Sequence, residues 1–380
     1  MRAVADHLAR GADGASLFAG GAPAREPFVF FDLETTGLNG GAGTHVFLVG
    51  CASFDDGDWV TRQFVMTRFA DERRLLQTVS AVLAGAGALV SFNGKSFDAP
   101  LLETRYLFHR MEWIGSRIPH LDVLHAARRF WGAGLARSEA GCSLVALERA
   151  VLGRTRAGDL DGFEIPRRYF QFVRTGDPRP LVPVLEHNRL DLLSLAALTA
   201  RLLHLARVGP EATKHAREAL ALGHVYARAG FDARARDAFL RAIAMRRVPA
   251  GIFDATVVES LRALALAWRR ARRWDEAARC WQQLADIRGC PPHLAQEATE
   301  ALAIHHEHRA RDLAAARTFA LRGLEHAERE RRPAWREAVE HRLARLDRKL
   351  VRATATPSPT LSLPLQPSCA APTSALRTSS

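Results

Sequence analysis

The sequence predicts a mixed α/β domain, a five-stranded sheet flanked by helices, followed by an all-α domain. Three observations predict it. Strand-like runs follow one another at about 27–34, 45–54 and 59–66. Helix and strand patterns then alternate from residue 71 to residue 207. Beyond Pro210 every periodic segment is helical.

Residues 1–26 are rich in Gly and Ala and are expected to be a flexible N-terminal arm. The first three strands are separated by Gly-rich loops and the acidic turn Asp55-Asp56-Gly57-Asp58, which makes them an antiparallel meander. Asp71 caps a helix that runs to about Ala84. A short strand, Ala88 to Phe92, leads into Asn93-Gly94 and a helix from Phe97 to about His109. A fifth strand is expected within 117–124, then a helix from Leu124 to Trp131. Residues 142–152 read as a short amphipathic helix. Pro166 opens another, to about Thr175, and Pro183 sits in the first turn of a long one ending near Arg207. The first domain is thus expected over 27–206.

A second domain is expected over 211–350, built on a loose internal repeat. Gly223, Tyr226, Gly230, Ala235, Phe239 and Ala242 define one unit. Ala265, Trp268, Arg272, Ala277, Trp281 and Leu284 repeat its spacing, and Ile304, Glu307, Arg311, Ala316, Ala320 and Gly323 repeat it more loosely. Small and aromatic residues so placed let the two helices of a hairpin approach closely. The pattern resembles a tetratricopeptide repeat, with units longer than the usual ~34 residues; a generic helical array is the alternative. Residues 351–380, rich in Pro, Ser and Thr, are expected to be disordered.

Hydrophobic content of 48% and charged content of 25% fit a soluble globular protein. No stretch approaches the ~20 apolar residues of a membrane span, and residues 1–25 hold no signal-peptide core. Five cysteines, at 51, 142, 280, 290 and 369, form no CxxC pair, which argues against a zinc ribbon and fits a reducing, cytoplasmic setting. The net charge of +12 is unevenly placed. Residues 1–205 hold 23 basic and 22 acidic side chains; residues 206–380 hold 30 and 19. Composition bias alone would spread the excess evenly, so the helical half is the one expected to meet a polyanion.

The chemistry begins at Asp32 and Glu34. Two residues apart on a strand, both carboxylates project from one face. Paired buried anions call for a cation, and an all-oxygen site points to Mg²⁺ or Mn²⁺. The bland alternative is an edge strand with two solvated acids, against which the apolar run Phe28 to Phe31 argues. Asp98 opens a helix after a strand, where α/β folds place functional groups, though an ordinary helix cap explains it equally. His187 and Asp191, at i and i+4, share a helix face. Asp122, at a strand end near the same sheet edge, reads as a supporting or capping acid. Lys95 is either a phosphate contact or a solvated loop lysine. Arg167 to Arg174 interleave bases with aromatics, which suits either unpaired bases or a lid helix with its rings in the core. His305, His306 and His308 read as decoration of a repeat helix.

The order of these pieces is more specific than any one of them. Phe31-Asp-Leu-Glu-Thr-Thr-Gly-Leu38, then Asn93 with Phe97-Asp98, then His187 to Asp191, resemble the three motifs of the DEDD exonucleases, proofreading-type members of the ribonuclease H-like superfamily. Residues 91–102, His120-Leu-Asp-Val-Leu-His125, Gly141-Cys-Ser-Leu144 and 187–195 resemble the YprB-like group of predicted exonucleases within it, some members of which carry tetratricopeptide repeats. The resemblance implies a metal-dependent 3′→5′ exonuclease of single-stranded DNA or RNA with a two-metal-ion mechanism. Asp32, Glu34, Asp98 and Asp191 would hold two ions, Mg²⁺ or Mn²⁺, and His187 would orient or deprotonate water. Substrate contact falls to Thr35, Thr36, Gly37, Asn93 and Lys95, with Asp122 and His120 just behind. One departure stands out: His187 occupies the spacing that tyrosine-type members use, one residue short of the histidine spacing, which is ~100° of helix rotation. The alternative function is a catalytically weak nuclease fold that binds nucleic acid or scaffolds a protein partner through its repeats. An endonuclease of the same fold is a third.

Overall fold

The computed structural model describes residues 1–37, 43–135 and 141–355. Two compact units are found, Met1–Cys290 and Pro291–Ser380.

The first unit is built on a five-stranded sheet of β1 (Phe28–Thr35), β2 (Val46–Asp55), β3 (Asp58–Val65), β4 (Ala88–Ser91) and β5 (His120–Asp122), in the order β3-β2-β1-β4-β5. β2 and β3 pair antiparallel across the tight acidic turn at 55–58, β1 pairs antiparallel with β2, and β4 and β5 continue the sheet parallel to β1. The apolar run Phe28 to Phe31 is buried because β1 is central and covered on both faces.

The helices are α1 (Arg2–Gly11), α2 (Glu72–Leu83), α3 (Asp98–Phe108), α4 (Val123–Phe130), the single turns α5 (Gly132–Leu135) and α6 (Leu144–Leu147), α7 (Glu164–Thr175) and α8 (Val182–Val208). Two packings fix the helices that carry the site. Arg105 of α3 donates from Nε and Nη2 to the Glu72 carboxylate at 2.6 and 2.5 Å, and His109 adds a 2.8 Å contact, so a buried ion pair locks α3 to α2. On α7, Tyr169 stacks on Phe47 of β2 at 4.1 Å and donates to Met66 O. That places the tyrosine of the Arg-aromatic segment in the core, with Phe170 exposed.

Residues 1–26 differ from the expected loose arm. Arg2–Gly11 is a helix with Leu8 buried, and a Cβ on Gly11 would stand 2.7 Å from Leu203 Cβ of α8. The Gly and Ala content that reads as flexibility is what permits this close helix contact. The expected domain boundary near 206–211 also differs, since the units divide at Cys290. Helices α9 (Ala216–Arg228), α10 (Asp232–Ala244), α11 (Ala255–Arg270) and α12 (Trp274–Ala285) belong to the first unit. Buried Glu218 of α9 accepts from Trp131 Nε1 at 2.8 Å and Arg201 Nη2 at 3.0 Å, and Tyr226 donates to Ala206 O at 2.8 Å. Those polar ties cross the apparent linker.

The second unit holds α13 (Pro292–His305), α14 (Leu313–Arg329) and α15 (Pro333–Ala355). The expected disordered tail, 351–380, begins inside α15; from residue 356 it lies outside the described residues. Each internal repeat maps onto a helix hairpin. Gly223 and Phe239 meet across α9 and α10, where a Cβ on Gly223 would lie 2.4 Å from the ring. Gly230, Arg272 and Arg311, aligned by the repeat, all take left-handed φ, of 78°, 58° and 56°. One turn geometry therefore closes all three hairpins. Among the described residues no helix is long and apolar enough to cross a membrane.

Candidate active site

Strand parity puts Asp32 and Glu34 of central β1 on one face, and a bulge follows between Glu34 and Thr35. Both are half-buried. Asp98 is the first residue of α3 and is buried. The loop before it must fold tightly, because a Cβ on Gly94 would lie 2.4 Å from Ser91 Oγ and 2.9 Å from Asp98 Oδ2. Asp191 comes from α8, which crosses the sheet at β1 and β2.

These four carboxylates are brought within electrostatic reach of one another. Burial first, then Asp191, Glu34 and Asp98, hold Asp32 well above the usual carboxylate range, against a hydrogen bond from Asn188. Burial, then Asp191 and Asp98, push Glu34 up to about 8. Burial, then Asp122, push Asp98 up to about 7. Asp191 is raised by burial in spite of His187 and Arg156. Four acids from three elements thus repel one another in a poorly solvated place, which is the electrostatic condition a bound cation relieves.

Two residues that the sequence left silent organise the site. Asn188, fully buried, donates from Nδ2 to Asp32 Oδ2 at 2.8 Å and to Asp32 O at 3.3 Å; its Oδ1 accepts from Gln63 Nε2 at 2.9 Å. Its approach requires Gly50, the residue paired with Asp32 across the sheet, since a Cβ there would lie 2.1 Å from Asn188 Oδ1. A polar residue three positions before Asp191, on an otherwise apolar face, is the signal that marks Asn188 in the sequence. Arg156 lies in the loop after α6 and its wide continuation Glu148–Leu152. Its guanidinium pairs with buried Glu148, with Asp191 Oδ1 at 2.5 Å and with Asp159 Oδ2 at 3.2 Å. Burial alone would lower its pKa, but Glu148 and Asp191 outweigh it and hold the charge in place. No periodicity marks a lone arginine in a loop.

His187 is held between two acids: Nδ1 lies 2.7 Å from Asp159 Oδ1 and Nε2 3.6 Å from Asp191 Oδ2. Burial raises Asp159, but His187 and Arg156 prevail and leave it below the usual range. The short His–Asp spacing therefore still turns the ring toward Asp191.

The remaining expected positions serve the loops around the acids. Buried Asp122 accepts from Asn93 N at 2.9 Å, Lys95 N at 3.1 Å and Leu124 N at 3.1 Å, so it both caps α4 and pins the 93–95 loop. Asn93 turns with φ 68°, a conformation Asn tolerates, and Asn93 and Lys95 are exposed. His120 Nε2 lies 2.7 Å from Ser91 Oγ; burial and Lys95 pull its pKa down to about 4 against Asp122. Thr35 Oγ1 donates to Gly37 O at 2.8 Å, and Thr36 Oγ1 accepts from His45 N at 2.9 Å. Leu38 of the first motif lies outside the described residues.

The donor set fits a hard divalent ion in its chemistry: carboxylates only, mutually repelling, Glu34 and Asp98 without a described ion pair. Among the described residues, however, no three acid, His or Cys side chains stand at ion-holding distances. Asp191 is turned to Arg156 instead.

Comparison with known proteins identifies the family. Residues 29–203 match the model of the RNase_H superfamily. A relative from Bacillus subtilis (strain 168), uncharacterized protein YprB, is 31% identical over 331 residues, covering 84% of this chain and 74% of its own. Among solved structures, the family B DNA polymerase of the hyperthermophilic archaeon Pyrobaculum calidifontis aligns over 54% of this chain and 30% of that one, at 14% identity and a TM-score of 0.37. The match to YprB reaches past the superfamily region into the helical repeats. The chain belongs to the RNase H superfamily, in its YprB-like family, and its α/β domain has a fold of nuclease type.

Proposed function

We propose that the protein is a metal-dependent 3′→5′ exonuclease of single-stranded nucleic acid. The observation that carries this reading is the gathering of Asp32, Glu34, Asp98 and Asp191 from β1, α3 and α8 into one mutually repelling acidic cluster. These four residues would hold two ions, Mg²⁺ or Mn²⁺. Bound there, the ions supply the positive charge that clamps a scissile phosphate and neutralises its transition state. The chain's own groups do the rest. Asp159 accepts from Nδ1 of His187, which leaves Nε2 to take a proton beside Asp191. Asp122 sets the 93–95 loop, from which Asn93 and Lys95 would meet the strand. Thr35, Thr36 and Gly37 offer backbone at the end of β1 to the terminal nucleotide. Arginines exposed on the helical hairpins, which we read as tetratricopeptide-like, would guide the phosphate backbone.

One observation favours a second reading, a catalytically weak nuclease fold acting as a binding or scaffolding protein. Arg156 already neutralises Asp191. A single assay separates the two. The protein is incubated with Mg²⁺ or Mn²⁺ and 5′-labelled single strands of DNA and RNA. The exonuclease yields a ladder shortening from the 3′ end that Asp32→Ala abolishes. Tight binding without cleavage under either metal sinks the enzyme reading, and cuts in a circular strand point to an endonuclease.

A further inference from the structure

Arg156 is the only basic side chain described in contact with any of the four acids apart from His187. It reaches Asp191 from a loop outside the three motifs and is itself almost fully buried, its side chain 6% exposed. Its Nη2 is shared between Asp191 Oδ1 and Glu148 Oε1, while Nε rests on Glu148 Oε2 at 2.8 Å and Nη1 on Asp159 Oδ2. One carboxylate, Asp159, thus serves both Arg156 and His187.

We propose that Arg156 is a built-in counter-ion that occupies Asp191 in the metal-free protein and must release it before a divalent ion binds there. The inference rests on reading Asp191 as an ion ligand. Geometry supports release without unfolding. Only Nη2 contacts Asp191, whereas Nε on Glu148 Oε2 and Nη1 on Asp159 Oδ2 hold the guanidinium independently of that contact. A guanidinium on Asp191 Oδ1 and a divalent ion compete for that oxygen, and like charge opposes the ion's approach while the arginine stays. The arrangement keeps Asp191 paired when no ion is present, at the expense of ion affinity. Asp159 stays bonded to both Arg156 and His187 through the release, so the imidazole keeps its orientation as the ion enters.

The test is Mn²⁺ binding by the full chain, measured calorimetrically and by the electron spin resonance of free Mn²⁺, without nucleic acid. Arg156→Gln removes the competitor and is expected to bind Mn²⁺ about tenfold more tightly than wild type, the scale of one hydrogen bond to a charged group. Arg156→Lys keeps the charge but cannot span Glu148 and Asp191 together, and is expected to fall between; it carries the test if the glutamine variant does not fold. In wild type, saturating Mg²⁺ is expected to speed backbone hydrogen exchange across residues 153–162. Equal or weaker Mn²⁺ binding by the variants, with exchange unchanged, overturns the inference while leaving the metal site standing. Absence of binding in every form, wild type included, overturns the metal reading and this inference with it.

Discussion

Glu34 states the electrostatic problem of the site at its smallest scale. Held up to about 8 by burial and two neighbouring acids, it binds a proton in the folded chain at pH values where the unfolded chain has lost it. The sign follows from linkage: the native state carries more bound protons between about 4.5 and about 8, so metal-free stability falls as pH rises through that window. Glu34→Gln removes the penalty. In chelator, the variant is expected to melt above wild type at pH 8 and to lose that advantage toward pH 5. The same change should cut cleavage at least about a hundredfold, as expected where a charge that stabilises the transition state is lost. A variant that melts lower than wild type at pH 8 would mean that Glu34 is stabilised in its charged form. At this scale the acids were legible from sequence, because strand parity and the helix start locate Asp32, Glu34 and Asp98 without any tertiary information. Asn188 and Arg156 were not. Each matters through a partner far away in the chain, Asn188 with Asp32 and Arg156 with Asp191; the one local cue, a polar residue on the apolar face of α8, marks Asn188 as buried but does not name its partner.

At the scale of elements, the seating of α8 on the sheet decides whether Asp191 and His187 reach the acids of β1. That seating is made through Asn188, wedged over Gly50 and tied to Gln63 and Asp32. Gly50→Ala would drive a methyl into an amide that is bonded on both sides and cannot swing away. The expected cost is about 2–3 kcal/mol, the range for overpacking a rigid interior, read as a lower urea midpoint with an unchanged slope. Asn188→Ala alone loses the hydrogen bonds to Asp32, a further destabilisation of about 1–3 kcal/mol. Combined, the two should cost clearly less than their sum, because the smaller side chain makes room for the methyl. Strict additivity would show that Asn188 does not fill the space over Gly50. The strands and most helices were legible because alternation and 3.6-residue periodicity are local. Helix α1 was missed because its Gly and Ala, read as looseness, are the small residues of a close helix contact that only α8 reveals.

For the whole molecule, the question is what the basic excess of residues 206–380, 30 against 19, is for. The end of α11 and the turn into α12 offer a place to ask it. Arg269, Arg270, Arg272 and Arg273 are all exposed there. They are not equivalent. Arg273 pairs with Glu276, and Arg270 lies 4.0 Å from Asp232, so part of their charge is spent within the protein. No ion pair is described for Arg269 or Arg272, and Arg272 is an exposed residue in a left-handed turn, with φ 58°. If single-stranded nucleic acid tracks this surface, each phosphate contact adds about 0.7 to the slope of log affinity against log salt. Replacing Arg269 and Arg272 by glutamine should then lower that slope by up to about 1.4 and weaken binding evenly across sequences. Replacing Arg273 should change it less, because its charge is already partly neutralised by Glu276. A slope that does not move in the double variant, with cleavage intact, would assign this face to a protein partner and leave the acidic cluster to find its strand without help from the repeats.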